Sequence, residues 1–151
     1  MTRIATTFNS LLADMLIFRQ KVLHYHWTVS GQHFFQLHSQ FESYYSEWSG
    51  WIDDVAERIL QRGEKPIATL GQAINLGSLN EDPTTPADTE MVENLLVDMR
   101  SQSQWLRELI EQAEAEEDRP TANLADEIND AIAKHVWMLE AFLKQQAAVT
   151  V

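Results

Sequence analysis

Five side chains between residues 26 and 57 carry the donor atoms of a hard metal site: His26, His38, Glu42, Asp53 and Glu57. Imidazole nitrogen with carboxylate oxygen suits Fe(II), Mn(II) or Zn(II). The chain has no cysteine, so thiolate sites, disulfides and cysteine nucleophiles are excluded. On a helix His38 and Glu42 are i,i+4, and so are Asp53 and Glu57. Each pair faces one way and can share an ion. We read the five groups as an iron site, with Zn2+ or Mn2+ as other possible occupants.

The elements that carry these groups impose a problem of reach. From His38 to Glu57 a helix rises roughly 28 Å, and ligand bonds of about 2 Å cannot bridge that span. Either the monomer holds two incomplete half-sites, or the helix meets a copy of itself. Two copies packed antiparallel about a twofold axis set His38 and Glu42 of one against Asp53 and Glu57 of the other, giving two identical sites per dimer. His26, near the end of the preceding helix, can approach the His38 end. Bundles that build a di-iron centre within one chain carry Glu-x-x-His on two helices. No histidine here has Glu three residues before it, which favours the shared site. The plainer alternative is that each i,i+4 pair is an ordinary helix-surface pair.

At 151 residues the chain is expected to be a single domain, 1–151, large enough to bury a core. Five Gly and four Pro leave room for long uninterrupted elements. No apolar run is long enough to cross a membrane. The N-terminus lacks the basic and apolar regions of a signal peptide, so a cytoplasmic location is expected. The net charge of −12 attracts cations and repels nucleic acid and anionic lipid.

Helical periodicity divides the chain into four long elements. Phe8, Leu11, Leu12, Met15, Phe18, Val22 and Leu23 stripe a first helix over 4–29, ended by Ser30-Gly31. A second runs from His33 to Arg62, striped by Phe34, Leu37, Phe41, Tyr44, Tyr45, Trp48, Trp51, Ile52, Val55 and Ile59, with Gly63 as its cap. Residues 63 to 85 are rich in Gly and Pro, with a short helix near Thr69 to Ile74. A connection this long links parallel helices and is expected to pack against the bundle. Thr85-Pro86-Ala87-Asp88 resembles an N-cap, Pro at N1 and an acid at N3, starting a helix that runs to about Glu117. Pro120 is expected to break the chain, Asn123 to start the last helix, and the segment from Lys144 to form a short tail. The predicted fold is all-α: a ferritin-like four-helix bundle with a short helix in the long crossover between helices 2 and 3.

The remaining histidines have plainer readings. His24 points away from His26 and is expected to face solvent or donate within the core. His33, at a helix start, is a weak accessory group, and His135 is structural. The five tryptophans are core or interface residues by default. Trp27 follows a candidate ligand directly, so it is also a candidate for oxidation or electron relay.

The combined pattern resembles that of the Dps family of mini-ferritins. It comprises His26-Trp27-Thr28-Val29-Ser30-Gly31, then His33-Phe34-Phe35-x-Leu37-His38, then Asp53-x-x-Ala56-Glu57-Arg58. Lys65-Pro66-x-Ala68-Thr69 and Lys134-His135-Val136-Trp137-Met138 are similar as well. The resemblance covers essentially the whole chain. It implies a hollow homo-dodecamer built from twofold dimers, with a ferroxidase centre at each dimer interface. His26, His38 and Glu42 would come from one subunit, and Asp53 and Glu57 from its mate. The implied activity is oxidation of Fe(II), preferably by hydrogen peroxide, with storage of ferric oxyhydroxide and protection against oxidative damage.

Two departures matter. The family usually has Asp where this chain has Glu42, and the longer arm shifts ligand distance or the affinity of the second metal position. DNA binding in the family commonly uses a Lys-rich tail, whereas the ends here offer only Arg3 and Lys144. Twelve copies would carry about −144, which opposes phosphate binding, so DNA binding is expected to be weak or absent. Glu114, Glu116, Glu117, Asp118, Asp126 and Asp130 either line an iron-entry pore or form an exposed acidic loop. Two other readings stay open: a nucleoid-compacting structural protein, and a helical bundle whose polar face only holds ion pairs.

Overall fold

Long amphipathic runs with few interruptions fold into five helices: α1 (Arg3–Thr28), α2 (Phe34–Gln61), α3 (Leu70–Leu76), α4 (Asp88–Ala115) and α5 (Arg119–Thr150). The computed structural model describes the backbone of residues 1–150 and the side chains of residues 1–144. Phe8, Phe18, Phe41, Trp48, Met91, Leu106 and Ile132 meet in one buried core drawn from all four long helices. Each such side chain stabilises the fold by about 1.5–3 kcal/mol through burial. Two polar pairs lie deep inside the bundle. Lys21 Nζ donates to Asp98 (2.6 Å), and the Trp48 indole donates to Gln102 (2.8 Å).

Polar side-chain contacts at both ends of the bundle fix its topology. His33, capping the start of α2, bonds Asp88 at the start of α4 (2.7 Å). Arg62, capping the end of α2, pairs with Glu116 (2.9 Å) and Asp118 just past the end of α4. Therefore α2 and α4 run parallel, and the chain between them travels back along the bundle. That return is tied to α1 at successive levels. Asn9 accepts from Ile67 N and donates to the Lys65 carbonyl. Asp14 accepts from Ser78 N, Ser78 Oγ, Leu79 N and the Trp105 indole. Tyr25 donates to Asp82, and His24 to the Thr84 carbonyl. The crossover thus packs against the first helix along its length. It presses hardest at Gly77, where a Cβ would lie 2.5 Å from Ile17 Cδ1 and 2.9 Å from Asp14 Oδ1.

The helix boundaries agree with the sequence where a cap is a backbone matter, and shift where a proline was weighed. Gly63, at φ +78°, closes α2: its N–H bonds Leu60 O, and Glu64 N–H bonds Ile59 O. At the other junctions the expected signals are displaced. α4 begins at Asp88 with Ala87 in the cap position, so Thr85 caps nothing and Pro86 lies outside the helix. Pro120 does not break the chain. It sits in the first turn of α5, where its missing N–H is not needed. Asp118 performs the capping expected of Asn123, its Oδ1 accepting from Thr121 N (3.2 Å). The expected C-terminal tail continues α5 to Thr150.

Candidate metal centre

Five residues, Val29 to His33, separate α1 from α2. Gly31, at φ +98°, and the Phe34 N–H to Gly31 O bond (3.2 Å) turn the chain tightly. The turn brings the last histidine of α1 against the first turns of α2. The rings of His26 and His38 stack, with centroids 3.9 Å apart and planes 13° from parallel. His26 Nδ1 donates to the His38 carbonyl (2.7 Å), and His38 Nδ1 donates to the His26 carbonyl (2.8 Å). A carbonyl can only accept, so both rings are protonated on Nδ1. In the neutral rings the lone pair therefore sits on Nε2, as a metal requires. Neither Nε2 has a hydrogen-bond partner among the described residues. Phe34 also stacks on His38, at 5.0 Å.

Glu42 stands one turn beyond His38 and is exposed. The Tyr45 hydroxyl donates to Glu42 Oε1 at 3.4 Å, while the Tyr45 ring packs edge-on to His26 at 5.2 Å. Partial burial and the Glu42 carboxylate push the Tyr45 phenol above its ordinary pKa, with Arg19 acting against them. In the sequence Tyr45 stands out only as a member of the apolar stripe. Its spacing, three residues past Glu42 and seven past His38, was the available signal for more.

Asp53 and Glu57 lie on the exposed side of α2, without ion pairs among the described residues. Asp53 is about 22 Å along the helix from His38. No cluster of three or more His, Asp or Glu able to hold a metal forms within one chain, among the described residues. One subunit thus brings together His26 and His38, with Glu42 one helical turn beyond His38, and leaves Asp53 and Glu57 farther along α2. Trp27 is 63% exposed, over a cleft lined by Lys21, His24 and Asp82.

The other titratable groups serve the fold. His24 ties α1 to the crossover, and His33 is held by Asp88 with its ring edge-on to Phe142, rather than standing as an accessory ligand. His135 donates to Glu47 across α5 and α2 and packs against Tyr44, the structural role expected of it. Of the acidic residues at the α4–α5 junction, Glu116 and Asp118 are engaged by Arg62. Glu114, Glu117 and Asp126 line a shallow cleft with Arg119 and Asn123. Burial would raise the Asp118 pKa, but the Thr121 hydroxyl and Arg62 hold it below the usual carboxylate range.

The fold is that of a ferritin-like protein, and the family model for the ferritin-like domain matches residues 6–148. The DNA protection during starvation protein of Brevibacillus brevis is 38% identical over 144 residues, which cover 93% of this chain and 95% of that one. The crystal structure of a Dps protein from Bacillus brevis superposes with a TM-score of 0.90 at 38% identity, covering 93% of this chain and 94% of that one. The Vibrio cholerae O1 Dps protein, a member of a broad superfamily of ferritin-like diiron-carboxylate proteins, gives 0.91 at 28% identity, covering 93% and 89%. The chain belongs to the Dps family of ferritin-like proteins.

Proposed function

We propose that this protein is a ferroxidase and iron store: it oxidises Fe(II), with hydrogen peroxide as the oxidant, and keeps the ferric product as a mineral. The observation that carries the reading is the His26–His38 pair. Two imidazoles locked by each other's backbone present two free Nε2 atoms, with the Glu42 carboxylate one helical turn beyond His38. Such pre-orientation suits a metal and has little other use in a bundle whose remaining histidines are all tied to acids or carbonyls.

The centre is completed by a second subunit. In an antiparallel dimer Asp53 and Glu57 of the mate face His26, His38 and Glu42, giving two nitrogen and three carboxylate ligands. Carboxylates favour Fe(III) over Fe(II), so the site drives oxidation. Two Fe(II) ions give one electron each, the O–O bond of one peroxide breaks, and two protons complete two waters. No hydroxyl radical is released, which is the protective value of pairing the ions. Zn2+ and Mn2+ fit the same donors and would compete.

Twelve subunits, as six twofold dimers, would enclose the mineral. The apolar Phe35, Leu70 and Ile74 are exposed on the single chain and suit burial between copies. Glu114, Glu117 and Asp126 would draw Fe(II) to an entry, and Trp27 would relay or absorb an electron when a second Fe(II) is missing. We place the protein in the cytoplasm, where Fe(II) and peroxide meet. The acidic surface opposes DNA, so nucleoid compaction is not its task.

The test is anaerobic addition of Fe(II) to the assembled protein, then peroxide, followed by near-UV absorbance. Rapid formation of the ferric band is expected, lost when His38→Ala and Asp53→Ala are combined. A flat wild-type trace, or an unchanged one in the variant, would defeat the proposal. A gel shift at low and physiological salt should show no tight complex with DNA.

A further inference from the structure

We propose that Tyr45 is a positioning residue of the metal centre, aiming the Glu42 carboxylate at the ion held by His26 and His38. The inference rests on the metal reading above and adds to it a residue that binds no metal itself.

Glu42 needs such a restraint. Its side chain is exposed and has three rotatable bonds, whereas the two imidazoles are each fixed by a hydrogen bond and a ring stack. Tyr45 is the one described side chain that bonds the Glu42 carboxylate. It reaches Oε1 and leaves Oε2 free for an ion. The 3.4 Å separation is long for a hydroxyl donor, and a cation drawing the carboxylate toward the histidines would fix the partner that the phenol then grips.

Tyr45 is itself held. Its ring lies edge-on to His26 at 5.2 Å, 73° from parallel, which sets the phenol at the histidine pole of the site. Its backbone carbonyl accepts from Ser49 Oγ (2.7 Å), and Ser49 Oγ accepts from Arg19 Nε (2.6 Å). One residue thus braces a ligand ring from α1 and steers a ligand carboxylate on α2.

The experiment uses the assembled protein and Co(II), a redox-stable probe whose visible spectrum reports its ligands. Affinity and spectrum are measured for wild type, Tyr45→Phe, Glu42→Ala, the double variant and His38→Ala. Tyr45→Phe is expected to weaken Co(II) binding about tenfold, as loss of a ligand's outer partner does, and to shift the spectrum. In the Glu42→Ala background the same change should do nothing, because the interaction has gone. Glu42→Asp, with a shorter arm, is a second background in which Tyr45→Phe should be silent. Wild-type affinity and spectrum in Tyr45→Phe would overturn the inference while the metal reading stands, provided His38→Ala loses binding. An equal loss in all backgrounds would also overturn it, since the ring would then act by packing on His26. Unchanged binding in His38→Ala would remove the metal reading and this inference with it.

Discussion

His26 and His38 donate their Nδ1 protons to each other's backbone carbonyl, at 2.7 and 2.8 Å, with their rings stacked at 3.9 Å. The pair clasps the end of α1 to the start of α2. It also fixes both tautomers before any metal arrives. Long-range nitrogen–proton NMR of the metal-free protein should show both rings protonated on Nδ1 in their neutral form. Adding Zn2+ should then move both Nε2 resonances and leave the Nδ1 protons in place. Protonation of either neutral ring on Nε2 alone would contradict the geometry.

His38→Ala removes a proposed ligand and one half of this clasp. The Fe(II) oxidation rate should fall at least about tenfold. The backbone carbonyl of His26 also loses its donor, so the melting temperature should fall modestly too. His24→Ala removes only a bond to the Thr84 carbonyl. It should leave the oxidation rate within about twofold of wild type, since surface changes away from the site have small effects.

Arg62 should govern acid stability at the α4–α5 junction. Asp118 has a folded pKa below its ordinary value. It therefore contributes stability above the unfolded carboxylate pKa, and that contribution is lost as pH falls through the lower folded value. In Arg62→Ala the Asp118 pKa rises toward normal, so helical signal in an acid titration should be lost at a higher pH than in wild type. At neutral pH the same variant should be about 2 kcal/mol less stable to urea, the scale of a hydrogen bond to a charged group.

Gly77→Ala should destabilise the crossover. The new methyl would meet Ile17 Cδ1 at 2.5 Å, and the Ala73 carbonyl and Asp14 Oδ1 at 2.9 Å. Ile17 can rotate, but Asp14 is pinned by four donors. A loss of about 1–3 kcal/mol is expected in urea unfolding. Glu117→Gly should do the reverse, because Glu117 holds φ +59° at the end of α4. Relief of that left-handed conformation is worth about 1 kcal/mol.

Most of the fold was legible because it rests on periodicity. Phe8, Leu11, Phe41, Trp48, Met91 and Leu106 fall on helical stripes, and all are buried. Gly63 announced the end of α2 because a left-handed cap strongly prefers glycine. Pro120 misled because proline is compatible both with a break and with a first helical turn, and the deciding contact, Asp118 to Thr121, is local geometry rather than composition. The clasp between His26 and His38 was half legible. Spacing put both near one pole, but the exchange of backbone bonds depends on how tightly the Gly31 turn closes. Tyr45 was hidden by its double character, an apolar stripe residue with a hydroxyl that reaches the Glu42 carboxylate. Asp14 carried no motif at all, and its four donors come from segments more than sixty residues away.

Each proposed centre is divided between two chains, and complementation measures this most directly. His38→Ala and Asp53→Ala subunits are each assembled alone, then co-expressed so that they mix within dimers. Each variant alone spoils every site. In a mixed dimer one site receives both defects and the other receives neither, so random mixing should restore about one quarter of the wild-type Fe(II) oxidation rate. No recovery in the mixed protein, or full activity in the Asp53→Ala protein alone, would contradict a centre shared between subunits.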